Sequence, residues 1–214
     1  MDTLQQWRNV IWSDESRFQL FHAVGRQRVW RTQHEAMDPA CQVGTVQANG
    51  LSVLVWGAFS WHEMPPPPPL VVLDNTLPGQ RYLQLLADHP HLFAMFQHPD
   101  SIAVYQDDNA TPHRANIVRA WFDEHDGEIQ RLNWPPRNPD MNQIKYIWDS
   151  LDVRLRAFNP QPTNRPQLAA ALPDVWCQLP TDVFQSLANS LPGRRIVALR
   201  RARGAQPDII PITP

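Results

Sequence analysis

A chain of 214 residues, 43% of them hydrophobic, can bury the core of one domain, which argues against wholesale disorder. The net charge of −2 gives no whole-chain sign of nucleic-acid binding. No apolar run approaches the roughly 20 residues that span a bilayer, so we expect a soluble, intracellular protein. Cys41 and Cys177 are too few for a disulfide framework and lack metal-ligand spacing, and we interpret them as ordinary thiols.

The N-terminal region predicts three strands. Val10–Phe21 is apolar, then polar, then apolar again, which fits a strand with a polar break. Gln27–Arg31 alternates like a second strand, and Ser52–Ser60 is β-branched and apolar, as in a buried central strand. We expect these three strands to form an antiparallel meander.

A proline run and a long helical segment follow. Pro65–Pro69 cannot be helix or central strand, and a tolerated exposed loop is favoured over a polyproline ligand for an aromatic groove. Val71–Leu73 predicts a short strand. Gly79–Phe96 has apolar residues at near-helical spacing, with a break or kink at Pro90.

The second half alternates strands and helices. Ile102–Asp108 predicts a strand that ends in acids, Arg114–His125 a helix, and Ile129–Trp134 another strand. Asn138-Pro139-Asp140 supplies a helix start, and Arg165–Leu179 predicts a further helix. The helix after Asp140 has one apolar face, formed by Ile144, Ile147, Trp148, Leu151 and Leu155. A last helix is predicted over Thr181–Arg203, interrupted at Pro192-Gly193. This order predicts an α/β fold with a mixed sheet.

Acidic residues occur within or directly after two of the predicted strands. Asp14 lies among Val, Ile, Trp and Phe, where a charge is costly unless it is paired or binds a cation. Asp107 and Asp108 end a second apolar strand. Carboxylates brought together there would need a shared proton, a basic partner or a divalent metal. The spacing of these acids does not distinguish a metal site from a structural role, because an Asp at the end of a strand is more often a cap or turn residue than a ligand.

Four segments resemble, in order, the motifs of Tc/mariner DNA transposases. Trp12–Phe18 (Trp-Ser-Asp-Glu-Ser-Arg-Phe) is similar to the first catalytic motif, and Val55–Ser60 matches the Trp-Gly strand. Tyr105–His113 (Tyr-Gln-Asp-Asp-Asn-Ala-Thr-Pro-His) is similar to the second motif, usually Phe-Gln-Gln-Asp-Asn-Ala-Pro-x-His. Trp134–Trp148 is similar to the third, typically Trp-Pro-x-x-Ser-Pro-Asp-Leu-Asn-Pro-Ile-Glu-x-Leu-Trp.

The resemblance extends from about Val10 to about Gly204 and implies a ribonuclease-H-like fold. The expected architecture is an α/β mixed sheet, three antiparallel strands followed by parallel strands, flanked by helices and ending in a helical C-terminal tail. It implies a catalytic core over residues 1–160, C-terminal helices of the same domain over 161–204, and a tail over 205–214.

The resemblance also implies the chemistry. In that family three carboxylates hold two divalent ions, normally Mg²⁺ or else Mn²⁺, which activate the nucleophile and stabilise the leaving oxygen during DNA strand cleavage and transfer. Asp14 and Asp108 match the first two catalytic, metal-binding aspartates, and Asp107 stands where glutamine is usual. No small-molecule cofactor and no membrane partner are implied.

The third catalytic position departs from the pattern because Lys145, the single lysine of the chain, replaces the glutamate. Asn138 and Gln143 replace the usual serine and proline, and the interval from Asp108 to Lys145 is a couple of residues too long, with the surplus at His125–Glu128. An ammonium about 4 Å from a divalent ion would be repelled by up to roughly 8 kcal/mol at an effective dielectric of about 20.

We therefore expect Lys145 to swing away or lose its proton, and the metal to bind at reduced occupancy. We expect the displaced lysine to pair with Asp149, four residues further along the helix. Asp149 is also the best substitute ligand, although its carboxylate would be displaced by about 6 Å.

Several residues are candidates for contact with DNA phosphates. Arg114 and Arg137 flank the site. A basic stripe near the C-terminus, which could instead be the solvated face of a helix, consists of Arg194, Arg195, Arg200, Arg201 and Arg203. His113 either orients the second motif, contacts DNA or has a structural role. The tryptophans Trp56, Trp134 and Trp148 are expected in the core.

Three functions remain open. The first is a transposase-derived domain that is weak or inactive in DNA cleavage. The resemblance implies that it acts in the nucleus and allows a homodimer. The second is a non-enzymatic DNA- or partner-binding protein with the same fold; a third reading is an active single-metal nuclease. Nothing in the sequence resembles a helix-turn-helix, so we expect DNA binding with little sequence preference.

Overall fold

The computed structural model describes residues 7–20, 52–62, 69–73, 76–97, 102–133 and 142–190. Five of its strands form one sheet in the order β3-β2-β1-β4-β5. They are β1 (Val10–Gln19), β2 (Ser52–Phe59), β3 (Leu70–Leu73), β4 (Ala103–Gln106) and β5 (Ile129–Arg131). β1, β2 and β3 are antiparallel, whereas β4 and β5 join β1 in parallel. The predicted mixed sheet is confirmed.

The helices of the described residues pack on this sheet. They are α1 (Gly79–Leu86), α2 (Leu92–Gln97), α3 (Asn116–Glu124), α4 (Ile144–Ala157), α5 (Arg165–Cys177) and α6 (Thr181–Ser190). A π-helical turn, Ala87–His91, joins α1 to α2 and contains Pro90. The predicted distortion at Pro90 is confirmed, because proline has no N–H to continue the α-helical hydrogen bonds.

Alternate residues of β1 face two separate cores. Trp12 packs with α4, α5 and α6 on one face of the sheet, and Ile11 packs with α1, α2 and α3 on the other. Both side chains are fully buried. A strand covered on both faces needs apolar residues in both registers, which explains the unbroken run Val10–Trp12. A charged residue further along β1 must therefore face one of the two helical layers.

The predicted meander order is wrong. β1 pairs directly with β2, from Trp12 opposite Phe59 to Gln19 opposite Ser52, and this continuous ladder leaves no place for a strand between them. The third antiparallel strand in the structure is β3, whose core Val71–Leu73 was predicted as a short strand. Gln27–Arg31 lies outside the described residues.

Other predictions also fall outside the described residues. These are the prolines 65–68, the helix start at Asn138–Asp140, the last helix beyond Ser190, Trp134 and Cys41. Within the described part, Trp56 and Trp148 are buried, as predicted for core residues, and Cys177 is a free, exposed thiol. No helix in that part has the length and apolar character needed to cross a membrane.

Candidate catalytic site between β1 and the end of β4

Asp14 is a buried carboxylate on the face of β1 that α4 covers. Its side chain accepts hydrogen bonds from Lys145 Nζ at 2.9 Å and from Trp148 Nε1 at 3.2 Å, both at Oδ2. The residue is only 6% exposed. Burial raises the pKa of Asp14, and the hydrogen bonds from Lys145 and Trp148 offset that effect only in part. Two residues of one helix turn therefore compensate the charge that the strand buries.

Gly57 explains how Trp148 reaches Asp14. Gly57 lies opposite Asp14 in the β1–β2 ladder. A Cβ atom at Gly57 would lie 2.7 Å from the Trp148 ring, closer than packed atoms tolerate, and 3.3 Å from the Trp176 ring. The absence of a side chain lets the indole lie against the strand. The Trp-Gly strand and the Trp at the end of the third motif thus form one packing unit.

Asp108 follows the end of β4, the strand next to β1. The parallel ladder pairs Trp12 with Gln106, the last residue of β4. Asp14 lies two residues beyond Trp12 within β1, and Asp108 lies two residues beyond Gln106. Asp108 Oδ1 accepts the Ala110 N–H at 2.9 Å and lies 3.0 Å from His113 Nδ1. The close approach of His113 Nδ1 is the main reason that the pKa of Asp108 is lowered, and the Lys145 charge adds to it.

His113 links Asp108 to Glu15. Its Nε2 atom lies 3.2 Å from Glu15 Oε1, and its ring stacks on Tyr82 with centroids 4.0 Å apart. The residue is 3% exposed, and burial opposes its charge. The close contacts with Asp108 and Glu15 outweigh burial and raise the pKa of His113 to about 10. Of the predicted roles, positioning the second motif fits this buried contact set.

Asp107 is occupied by an internal ion pair. Arg131 binds it in a bidentate manner, with Nε donating to Oδ2 at 2.9 Å and Nη2 to Oδ1 at 2.7 Å. Tyr82 OH donates to Oδ2 at 3.3 Å, and the Asn109 N–H donates to Oδ1 at 3.0 Å. Asn109 has a φ of 60°, a left-handed conformation that asparagine tolerates, and it turns the chain after Asp108. Asp107 and Asp108 thus have different partners.

Asn142 attaches the start of α4 to β1. Its Nδ2 donates to the Ser13 carbonyl at 3.2 Å, and the residue is 1% exposed. The Lys145 N–H donates to the Asn142 carbonyl at 3.3 Å, which makes these residues one turn of helix. Gln143, at the position of the usual proline, is fully buried. This attachment brings Lys145 to Asp14.

The expected pairing of Lys145 with Asp149 is wrong, whereas the expected displacement of the lysine by a divalent ion stays a prediction. Lys145 forms its ion pair with Asp14. Asp14 is buried whereas Asp149 is exposed, and a charge pair is worth more where water is excluded. Asp149 as a substitute ligand stays a prediction.

The structure brings together only some of the predicted site residues. Asp14, Lys145 and Asp108 belong to one electrostatic group, and Arg114 is exposed on the turn that carries His113. Arg137 and the C-terminal arginines lie outside the described residues. The contacts of Glu15, Trp148 and Asn142 with the site were not predicted from the sequence. Their positions in the motifs are what could have indicated these contacts. Glu15 directly follows Asp14 in the first motif, and Asn142 and Trp148 each lie three residues from Lys145 in the third.

Comparisons with known proteins agree with the motifs. No protein-family model matches the chain. The Tcb1 transposase of Caenorhabditis briggsae is 34% identical over 200 residues, covering 94% of this chain and 70% of that protein. The Tc1 transposase of Caenorhabditis elegans is 32% identical with the same coverage.

The chain belongs to the Tc/mariner transposase family.

Solved structures show which part of such a transposase it resembles. The catalytic domain of Mos1 mariner transposase has a TM-score of 0.61 at 14% identity, over 88% of this chain and 79% of that chain. A Mos1 paired-end complex with the left transposon end has a TM-score of 0.66 at 16% identity, and this chain spans about half (53%) of that longer chain. This chain therefore has the ribonuclease-H-like fold of the Mos1 catalytic domain.

Proposed function

We propose that this transposase-derived domain binds DNA and that its metal-dependent strand cleavage and transfer are impaired by Lys145. The observation that supports this is the 2.9 Å ion pair between Lys145 Nζ and Asp14 Oδ2. The ammonium lies where a divalent ion would have to approach the first catalytic aspartate. It both repels such an ion and fails to supply a ligand.

The donor set does not fit a two-metal centre. Asp14 and Asp108 are oxygen donors of the kind that Mg²⁺ prefers, but each already has a cationic partner from the chain. Lys145 compensates Asp14, and His113, whose pKa is raised to about 10, is protonated beside Asp108 at neutral pH. A metal would have to displace or tolerate both cations.

Partial binding of one ion is compatible with the exposure of the lysine. The Lys145 side chain is 40% exposed, so its ammonium can rotate towards solvent when a metal takes over the compensation of Asp14. Mos1 structures have been solved with Mg and with Mn. We extend the preference for Mg²⁺ or Mn²⁺ to this chain, at reduced occupancy.

DNA is the proposed partner. Mos1 has been solved with a transposon end. For this chain we propose contacts to phosphates through Arg114, Arg137 and the arginines near the C-terminus, with little sequence preference. Location in the nucleus and assembly as a homodimer belong to the same proposal.

A non-enzymatic DNA- or partner-binding protein is the alternative. The Lys145–Asp14 pair also favours this function, because it satisfies the buried aspartate without a metal. The fold and these arginines would then be retained while cleavage is lost.

Substitution of Lys145 by glutamate tests the proposal. We expect Lys145→Glu to nick supercoiled plasmid in Mg²⁺ or Mn²⁺ at least about tenfold faster than the unmodified chain, because it supplies the missing ligand and removes a positive charge. Transfer of a pre-cut DNA end, measured in parallel, separates a transposase from a simple nuclease.

Lys145→Gln is the matched control. It removes the charge without adding a carboxylate, so we expect it to remain well below Lys145→Glu. Strong metal-dependent cleavage by the unmodified chain would contradict the impairment. DNA binding with no cleavage by any of the three proteins would favour the non-enzymatic alternative.

A further inference from the structure

Two histidines and a glutamate meet near the start of β5, at the end of the parallel strands opposite the candidate catalytic site. His91 ends the π-helical turn between α1 and α2, His125 follows α3, and Glu128 directly precedes β5. The Glu128 carbonyl accepts the N–H of Ala103, the first residue of β4, at 3.0 Å. Asp108 lies beyond the other end of that strand. This cluster is therefore separate from the carboxylates of β1 and β4.

We propose that His91, His125 and Glu128 bind a divalent transition-metal ion, for which Zn²⁺ is the best fit. One ligand atom from each residue lies within 4.8 Å of the other two. Two imidazoles and a carboxylate suit Zn²⁺, whereas Mg²⁺ prefers a shell of oxygen atoms. Water would complete the coordination, because the Glu128 side chain is 51% exposed.

The orientation of His125 supports a ligand role. Its Nδ1 lies 2.8 Å from the Trp121 carbonyl, which can only accept, so Nδ1 carries the proton of the neutral ring. Nε2 is then left with its lone pair. Metal-binding histidines in proteins typically donate their other N–H to a carbonyl or carboxylate in this way.

One indole holds both imidazole rings. Trp121 stacks on His125 with centroids 4.4 Å apart, and its ring meets His91 edge-on at 5.5 Å. The Glu128 N–H also donates to the His125 carbonyl at 2.9 Å, which fixes the turn between these two ligands. These contacts restrict the ligands before any ion binds.

The rearrangement needed for binding is small. Tetrahedral Zn²⁺ with bonds of about 2.0–2.1 Å separates its ligand atoms by about 3.4 Å. His91 Nε2 and Glu128 Oε2 are already in direct contact, and rotation of the exposed glutamate would open this pair. The ion would then join the π-helical turn to the start of β5, linking segments that are 37 residues apart in the chain.

Zinc titration of the full chain tests the proposal. With Zn²⁺ at about 100 times its Kd, we expect the Tm to rise by about 5–10 °C, since a ligand specific to the folded state stabilises it. Isothermal titration calorimetry should show one such site. Equimolar Mg²⁺ should give a clearly smaller Tm shift, because it prefers a shell of oxygen atoms. Absence of both the zinc-dependent Tm shift and the heat of binding would overturn the proposal.

Variants locate the site. Glu128→Gln, at an exposed position, should fold and lose at least about tenfold in affinity for Zn²⁺. His125→Gln should do the same. The exposed Glu124 on α3 provides the matched control, and Glu124→Gln should bind Zn²⁺ like the unmodified chain. A shift that persists in Glu128→Gln but disappears in Asp108→Asn would place the zinc at the other carboxylates and overturn the proposal.

Discussion

His113 sets the charge balance of the site at the level of single residues. It is buried between two carboxylates, Asp108 and Glu15, and against the ring of Tyr82. A neutral imidazole could not satisfy both acids, because it has only one N–H. The fold therefore selects the imidazolium, and the two acids near β1 and β4 depend on it.

The pKa of His113 predicts a pH dependence of stability. Because the folded-state pKa is raised from 6.5 to about 10, the protonated ring stabilises the fold fully below pH 6.5, and this contribution is lost as the pH rises through about 10. We expect His113→Gln to lower the free energy of unfolding by on the order of a few kcal/mol near pH 6, and by much less at pH 10. Urea unfolding in metal-free buffer measures both values.

His62 provides the control for this experiment. Burial lowers its pKa below 6.5, so it is neutral in the folded and unfolded states above about pH 7.5. The effect of His62→Gln should therefore be constant from pH 7.5 to 10. A destabilisation by His113→Gln that is equally constant over that range would show that His113 is not a buried cation.

Lys145 shows what the sequence could not predict at this scale. Its motif position identified it as the substituted third ligand, and its partner on the helix was a reasonable guess from spacing. The choice between Asp14 and Asp149 depends on how deeply each carboxylate is buried. That difference in burial arises only when α4 covers β1, so it cannot be predicted from the spacing of residues along the helix.

At the level of secondary-structure elements, close packing of α4 against β2 depends on Gly57. We expect Gly57→Ala to destabilise the protein by about 1–3 kcal/mol, because the new methyl group would force the Trp148 ring off the strand. Displacement of that ring also removes the indole hydrogen bond to Asp14. The free energy of unfolding in urea at pH 7 provides the measurement.

Gly127 provides the matched glycine. No atom lies within 4 Å of where its Cβ would be, so Gly127→Ala should change the unfolding free energy by less than about 0.5 kcal/mol. If the two substitutions cost the same, close packing of Trp148 on β2 is not what requires glycine at position 57.

The helices and strands could be predicted from the sequence more reliably than the pairing of the strands. The apolar periodicity of Ile144, Ile147 and Leu151 predicted α4, and all three residues are buried. Strand order could not be predicted in the same way, because pairing of β1 with β2 joins residues about 40 positions apart. The π-helical turn was foreseen only as a break at Pro90, so its gathering of His91 with His125 and Glu128 was missed.

At the level of the whole molecule, the charge is balanced overall but unevenly distributed along the sequence. The net charge is −2, yet five arginines fall within residues 194–203. A balanced chain attracts DNA weakly at long range, so its affinity must come from the local positive group. Each phosphate neutralised releases counterions and makes log K fall by about 0.9 per unit of log salt concentration.

Replacement of Arg194, Arg195, Arg200, Arg201 and Arg203 tests the role of this group. With all five changed to glutamine, we expect the slope of log K against log salt to become shallower by up to about 4.5 between 50 and 200 mM NaCl. Changing the same five to lysine preserves the charge and should preserve most of the slope. Fluorescence anisotropy with a random-sequence duplex gives both slopes. If the glutamine variant keeps the original slope, DNA is bound elsewhere, and exposed Arg114 becomes the next residue to replace.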